Sequence, residues 1–398
     1  MLSSGKRTVL LSNATDARYV PPGRLLFMRL GALFAVGFDP GRLELKGEQV
    51  ALIEGVAQAL TSRNTDDITG AGQLAVSPAG DLAYIPSPAV QFDQNRLLEV
   101  DLTGRVEPLP TPARSFETWV EASRDGRKLA VAINTMTEYR IWIYDMTRQT
   151  LTPLTPAGGE FFDPCWSPDG RRVAFRSLQP GIASVGWQWA DGSAPPETLA
   201  PEDLEPSSWS PDGRELAVFT WANQDIWVLS LDGRSPRLRP LLQSPAREGW
   251  PSFSPDGKWL LYGASASGSF EAYLQPYPGP GPRLQVSVDG GGVPTWNPNG
   301  REIFFLATTP TSGRWRMMPV SVMLGVTPQI GKPRQLFDFD GQQLNFWDFP
   351  LTGYSVSPDG QRFFTTQPVK TDPPPPVTHI NLVLNWRAEL EAKVPSGL

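Results

Sequence analysis

Cysteine and histidine are almost absent from this sequence of 398 residues. Its one cysteine, Cys165, excludes a disulfide within the chain, and its surroundings predict a small buried residue in a strand. Its one histidine, His379, starts a predicted strand, and no Gly-x-Ser-x-Gly motif accompanies it, so a Ser-His-Asp triad is not indicated. One residue of each type is too few for a His/Cys zinc site. We therefore expect no metal and no cofactor.

Charge and long apolar runs are also scarce. Charged residues make up 19% of the chain and the net charge is −6, which disfavours nucleic acid and anionic membranes as partners. No apolar run approaches the ~20 residues of a membrane span. The first 18 residues, Met1–Arg18, lack the apolar core of a signal peptide. We therefore expect no signal peptide and no membrane insertion of this chain, which leaves its compartment open.

Proline and glycine, by contrast, are abundant, with 42 and 37 copies, and many belong to one turn, Ser-Pro-Asp-Gly. Proline presets the first central φ, aspartate bonds the nearby backbone, and glycine takes a positive φ. The flanking apolar runs predict two strands of a hairpin. The turn occurs in eight copies, four of them degenerate, which end at Gly23, Gly80, Gly126, Gly170, Gly213, Gly257, Gly300 and Gly360. The recurring aspartates are predicted turn formers: Asp125, Asp169, Asp212, Asp256 and Asp359.

The spacing of these turns predicts the fold class. From Gly80 to Gly300, successive glycines are 43 to 46 residues apart, which fits four short strands and their turns, or one propeller blade. The unit around Gly213 shows the pattern best, with strands predicted at Pro206–Trp209, Glu215–Thr220, Asp225–Leu231 and Arg237–Leu242. The sequence therefore predicts an all-β protein, an eight-bladed β-propeller formed by residues 1–398 as a single domain.

The two chain ends complete this prediction. The last unit offers three strands, the third being His379–Trp386, and the tail at 387–398 includes a short helical or frayed segment. Arg7–Ser12 reads as a strand without a turn partner. Pairing it with His379–Trp386 would close the ring without an open sheet edge, which is the stable form. Seven blades remain the alternative if the Gly23 or Gly360 unit is not a true blade.

The repeat resembles the TolB-like, WD40-like β-propeller family, whose blades carry Trp/Phe-Ser-Pro-Asp-Gly before an apolar strand. The chain also resembles the propeller halves of bacterial membrane-bound serine/threonine protein kinases, in Leu33–Pro40, Asp225–Leu231 and the ending Val383-Leu384-Asn385-Trp386 with Glu389-Leu390. The resemblance implies an extracytoplasmic interaction scaffold. No kinase motif occurs in this sequence, so kinase activity is not expected of it.

A candidate site is predicted where the outer strand of one blade leads into the inner strand of the next. Acidic residues recur there eight to ten positions before the turn glycine, and aromatic residues lie between them. Such a face suits a cationic peptide, an amine, a sugar or a bound cation, although ordinary solvated loop acids remain the alternative. The predicted binding residues are Glu117, Trp119, Glu160, Phe162, Asp163, Glu205, Glu248, Trp250, Trp347 and Asp348.

Two functions follow from this site. The first is a non-enzymatic scaffold or sensor that binds a protein, peptide or small ligand, with a cationic group favoured. The second is a hydrolase or lyase that acts on a saccharide or peptide with two channel carboxylates, which glycoside chemistry requires at roughly 5–10 Å. A separated sensor half of a split kinase system is a third interpretation. The sequence supplies no distance between carboxylates to separate these functions.

Overall fold

The computed structural model describes residues 9–11, 14–59, 69–87, 94–135, 138–179, 182–233, 235–266, 268–279, 281–309, 313–347, 352–369 and 377–397. The chain divides into two compact units. Unit 1 comprises Met1–Asp93 and Thr371–Leu398, and unit 2 comprises Gln94–Lys370. Each unit is built almost entirely of antiparallel strands.

Unit 1 contains two sheets and a helix. The first sheet has four strands in chain order, β1 (Thr15–Val20), β2 (Arg24–Arg29), β3 (Ala32–Asp39) and β4 (Glu44–Ile53). The second sheet contains β5 (Leu74–Val76), β6 (Leu82–Tyr84) and β32 (Asn381–Val383), with β6 in the middle. Helix α1 (Trp386–Lys393) buries Trp386 and Leu390 in one core with Leu26 and Leu82. Within the described ranges, no helix is long and apolar enough to span a membrane.

Unit 2 contains the remaining strands. They are β7 (Asn95–Asp101), β8 (Val106–Pro108), β9 (Phe116–Ala122), β10 (Lys128–Asn134), β11 (Tyr139–Asp145), β12 (Thr150–Pro153), β13 (Glu160–Trp166), β14 (Arg172–Gln179), β15 (Ile182–Trp189), β16 (Glu197–Ala200), β17 (Leu204–Trp209), β18 (Glu215–Thr220), β19 (Asp225–Ser230), β20 (Arg237–Leu242), β21 (Glu248–Phe253), β22 (Trp259–Ala264), β23 (Glu271–Pro276), β24 (Leu284–Gln285), β25 (Gly292–Trp296), β26 (Glu302–Thr308), β27 (Arg314–Met323), β28 (Gln329–Ile330), β29 (Phe337–Asp340), β30 (Ser355–Val356) and β31 (Arg362–Pro368).

The described part of unit 2 forms six blades. Five consist of consecutive strands, β9–β12, β13–β16, β17–β20, β21–β24 and β25–β29. The first two of these are also joined by a parallel contact between Tyr139 and Glu160. The sixth blade combines both ends of the unit, in the order β30-β31-β7-β8. Its two central strands, β31 and β7, have buried apolar residues on both faces, Leu97, Leu98, Phe363 and Phe364, as expected of strands packed between neighbouring blades.

The six blades close into a ring. The inner strand of each blade (β9, β13, β17, β21, β25 or β30) contacts the inner strand of the next, and β30 contacts β9. At this closing contact, the backbone N–H of Ala122 donates a hydrogen bond to Ser355 Oγ at 3.0 Å. Unit 2 is therefore a β-propeller in which strands from both ends of the unit share one blade.

This closure differs from the predicted one. The predicted partner of Arg7–Ser12 pairs elsewhere, since β32 binds β6, and 9–11, the described part of that predicted strand, lie in no strand. The strands of the two blades predicted around Gly80 and Gly360 pair across the two predicted blades instead of within each one. Strands β30 and β31 take β7 and β8 as partners, while β5 and β6 take β32. The predicted closure, in which Arg7–Ser12 completes a blade with His379–Trp386, is therefore wrong in its strand pairing, whereas the number of blades in the whole chain, eight or seven, stays a prediction.

The prediction within the Gly213 unit is confirmed. The second and fourth strands, Glu215–Thr220 and Arg237–Leu242, have the predicted bounds, and the other two differ by one or two residues at one end. The turn sequences of this unit were sufficient to place its strands, because each turn fixes the register of the two strands that it joins.

The Ser-Pro-Asp-Gly turn is held by its own side chains. In the turn before Gly170, the hydroxyl of Ser167 donates to Asp169 Oδ1 at 2.6 Å and accepts the backbone N–H of Arg172 at 2.9 Å. Asp169 Oδ1 also accepts the N–H of Arg171. The equivalent serine hydroxyl lowers the pKa of Asp125 and Asp212. These aspartates stabilise the turns as predicted.

A pair of glycine substitutions tests the closing contact of the ring. Gly126 and Gly170 have nearly equal φ of +68° and +66°, so alanine at either position should cost about 1 kcal/mol of backbone strain. A Cβ on Gly170 would meet nothing within 4 Å, whereas one on Gly126 would lie 3.0 Å from the ring of Pro358. We expect Gly126→Ala to lower the free energy of unfolding by about 1 kcal/mol more than Gly170→Ala. Urea denaturation measures both losses, and equal losses would contradict the closing contact.

Candidate functional site

The inner strands of unit 2 surround a cavity of about 250 Å³. Every blade contributes equivalent positions to its wall, counted back from the turn glycine. The fifth residue before that glycine lines the cavity in all six blades, as Glu121, Cys165, Ser208, Ser252, Thr295 and Ser355. Five of these side chains are small hydroxyl or thiol groups, and one is a carboxyl group. The cavity is therefore the central channel of the propeller, with a polar ring that a single blade makes acidic.

The serine hydroxyls in this polar ring connect neighbouring blades. Ser208 Oγ accepts the backbone N–H of Phe253 at 3.1 Å, and Ser355 Oγ accepts that of Ala122 at 3.0 Å. A hydroxyl that accepts one hydrogen bond still has a proton to donate. These side chains thus hold the blades together and remain able to bind a ligand in the channel.

Tryptophans at the next position of the repeat have a structural role. The indole N–H of Trp166 donates to the backbone oxygen of Glu121, and that of Trp209 to the backbone oxygen of Cys165, at 3.1 and 3.3 Å. Trp296 makes the same contact, 3.4 Å long, to Ser252. Each indole is thus tied to the preceding blade. These rings form part of the channel wall with their polar atoms already occupied.

Glu121 is the one carboxyl group among the described residues that line the channel. It is half-buried at the end of β9, and burial raises its pKa from 4.5 to about 8. Its charge also contributes, after burial, to the raised pKa of Cys165 on the neighbouring strand. At neutral pH the carboxyl group is mostly protonated, and a cation in the channel would favour its ionised form.

Arg124 is the second departure of this blade from the repeat. The residue two before the turn glycine lines the channel in every blade, and it is proline in five of them, Pro168, Pro211, Pro255, Pro298 and Pro358. In the remaining blade it is Arg124, which is exposed. The blade of β9 therefore adds both an acid and a base to a channel whose other described lining residues are uncharged.

The predicted acids occupy other places. Glu117 and Glu160 lie near Tyr139, whose pKa is raised to about 12 by burial and then by these two carboxylates. Phe162 packs against the same tyrosine, with ring centroids 4.5 Å apart. The structure therefore brings these three predicted residues together around one phenol, outside the set that lines the channel.

Asp163 and Glu205 lie near Arg176. Burial opposes the charge of this arginine, but its hydrogen bond to Asp203, at 2.7 Å, and the charges of Asp203, Glu205 and Asp163 raise its pKa overall. Glu205 is buried and also accepts the indole N–H of Trp221. These two acids thus stabilise the charge of one half-buried guanidinium group, and neither lines the channel.

Glu248 is the most shielded of the predicted acids, with 3% of its surface exposed. Burial raises its pKa to about 7, against the hydrogen bond that Ser244 donates to it at 2.8 Å, while the charge of Asp225 adds to the rise. The second carboxyl oxygen of Glu248 has no hydrogen-bond partner among the described residues. This acid also lies outside the channel lining.

The predicted aromatic residues divide into two groups. Trp119 and Trp250 line the channel. Trp347 instead stacks on Trp315 at 4.5 Å and contacts Trp250 edge-on at 5.3 Å, so it belongs to the packing behind the wall. Asp348 lies outside the described residues. Two of the ten predicted residues are thus placed in the channel.

Comparison with known proteins agrees with this architecture. Residues 120–268 match the family model of the TolB beta propeller domain. Two similar proteins are the uncharacterized peptidase YuxL of Bacillus subtilis, 28% identical over 170 residues, and the uncharacterized protein Atu1656 of Agrobacterium fabrum, 27% identical over 157 residues. These matches cover 33% and 39% of this chain. The chain spans 26% of the first relative and 52% of the second.

The solved structure of a TolB candidate from Agrobacterium tumefaciens shows the same fold. Its TM-score is 0.57 at 17% identity, and the match covers 71% of this chain and 100% of that one. This likeness concerns the fold alone. The family model matched by residues 120–268 and the ring of blades agree that unit 2 is a β-propeller similar to that of TolB.

Proposed function

We propose that this protein is a non-enzymatic binding protein whose unit 2 channel takes a peptide or small ligand by an amine that contacts Glu121. The main support is that Glu121 is the single carboxyl group among the described lining residues, where the equivalent positions of the other blades have hydroxyl or thiol groups, in a cavity of about 250 Å³. An ammonium group satisfies a carboxylate and can donate its other protons to hydroxyl oxygens such as those of Ser208 and Ser355. A TolB-like propeller favours a binding or scaffold role, and an extracytoplasmic sensor is one form of it.

The enzymatic alternative has less support. A hydrolase or lyase of the predicted type needs two carboxyl groups across the reacting bond. Within the described lining of the channel there is one, Glu121, and the five predicted acids that the structure describes are not part of that lining. The relative named a peptidase is similar over part of its length only. Its name makes a peptide the first ligand class to test.

The amine contact is tested with a pair of capped tripeptides. Acetyl-Gly-Lys-Gly-amide carries one ammonium group, and its norleucine counterpart has a similar chain without the charge. We expect the lysine peptide to bind more tightly, by about 10-fold at pH 9. Its affinity should fall by about 10-fold from pH 9 to pH 6, to the level of the norleucine peptide, because a carboxyl group with a pKa of about 8 is then almost fully protonated. Isothermal titration calorimetry at both pH values measures the affinities.

The control variant is Glu121→Ser, which installs the residue that three other blades carry at this position. It should bind both peptides equally and without pH dependence. If the lysine peptide binds Glu121→Ser as tightly as the parent protein, the amine does not contact Glu121, and the proposed function is wrong.

A further inference from the structure

Arg124 occupies a turn position that is proline in the other five blades of unit 2. The other five blades have proline two residues before the turn glycine, where its fixed φ suits the turn. Arginine does not fix φ, so this turn is less preorganised than the other five. The turn itself is otherwise unchanged, since Ser123 Oγ donates to Asp125 Oδ1 at 2.7 Å and accepts the N–H of Lys128, as in the other blades. The hydrogen bonds that hold the turn therefore do not explain why this blade has arginine where the others have proline.

Arg124 also differs from the other arginines near these turns. Arg214 and Arg362 lie 3.9 and 3.6 Å from the aspartate of their own turn. Within the described residues, Arg124 has no ion-pair partner, and its exposed side chain contributes to the wall of the channel. A guanidinium group offers a planar pair of donors that matches a carboxylate. The channel end near the turns thus presents a guanidinium group that is open to a carboxylate ligand.

The distance between Arg124 and Glu121 limits how far apart the two charged groups of a ligand can be. The two residues are three positions apart in one chain segment, so their Cα atoms are at most about 10 Å apart. Both side chains line the same cavity. A ligand that contacts both must carry an ammonium group and a carboxylate group within a short reach of each other.

We propose that the channel binds the C-terminal lysine of a peptide, with its ammonium group at Glu121 and its terminal carboxylate at Arg124. The inference rests on the proposed function, because it assumes that Glu121 contacts an amine. The four-carbon stem of lysine separates the two charges and can lie along the aromatic and proline side chains of the wall, as lysine stems do on apolar surfaces. The carboxylate then stays at the channel end formed by the turns, where Arg124 is exposed.

The experiment compares acetyl-Gly-Gly-Lys with its C-terminal amide on the parent protein and on Arg124→Pro. Proline is the residue that five blades carry here, and Ser123 precedes it as serine precedes most of those prolines. Arg124→Gln is the second variant, because it adds no backbone restraint. On the parent protein, amidation is expected to weaken binding about 10-fold at pH 9. On either variant, amidation should change the affinity less than 2-fold.

The outcomes separate this inference from the proposed function. An equal effect of amidation on the parent protein and on both variants overturns the role of Arg124. In that case a preference for acetyl-Gly-Lys-Gly-amide over its norleucine counterpart, which depends on Glu121, would still support the amine contact. Absence of binding by any lysine peptide up to millimolar concentration overturns both.

Discussion

Replacing Glu121 by glutamine is expected to stabilise the protein at and above neutral pH. The pKa of Glu121 is raised from 4.5 to about 8 in the folded chain, so between these pH values the folded state holds a proton that the unfolded state has released. Stability contributed by this proton is complete below pH 4.5 and is lost as the pH rises to 8. Each pKa unit corresponds to about 1.4 kcal/mol, and partial exposure of the group reduces the total to about 3 kcal/mol at pH 8.

Urea denaturation of the parent protein and of Glu121→Gln at pH 5, 7 and 9 measures this effect. The variant should gain little at pH 5 and about 3 kcal/mol at pH 9. The matched control is Glu107→Gln, which removes an exposed carboxylate paired with Arg105 at 2.7 Å and should change the free energy of unfolding by less than about 1 kcal/mol. A gain that does not grow with pH would show that the Glu121 carboxyl group is solvated in the folded protein.

Replacing Phe346 by alanine should cause the largest loss of stability, about 4 kcal/mol. Phe346 has none of its surface exposed and lies at the centre of an aromatic cluster. Its ring centroid is 4.9 Å from that of Phe339, 5.2 Å from Tyr354 and 5.9 Å from Phe363. Alanine would remove these edge contacts and leave a cavity that the surrounding rings cannot fill without leaving their rotamers.

The free energy of unfolding of Phe346→Ala and Phe346→Leu tests this expectation. Leucine keeps most of the buried apolar volume and should lose about 1–2 kcal/mol. The control is Leu43→Ala, since Leu43 is 54% exposed and should change stability by less than about 0.5 kcal/mol. A loss below about 2 kcal/mol for Phe346→Ala would contradict the central place of this ring in the core.

The hairpins could be predicted from the sequence, but the partners of the split blades could not. Turn chemistry is local, so Asp212 and Gly213 were sufficient to place the strands on either side of them. Whether β31 pairs with β7 or with 379–386 is a choice between distant segments of similar apolar pattern. The interval from Gly80 to Gly126 has the length of one blade even though its strands belong to two units, because half of it completes another blade.

The predicted acids and the residues that line the channel occupy different positions of the repeat. Glu117, Glu205 and Glu248 recur eight or nine residues before the turn glycine, but packing also produces such recurrence. Our proposed site depends instead on residues that depart from the repeat. Glu121 and Arg124 each break the repeat at a position where the other blades agree, and this could have been found by aligning the inner strands with one another.

The blade shared by both ends of unit 2 has a further consequence. The backbone N–H of Val369 donates a hydrogen bond to the backbone oxygen of Gln94 at 2.7 Å. Unit 2 therefore begins and ends at the same end of the antiparallel strand pair β7–β31. Its ring could be circularly permuted without the loss of a strand pair.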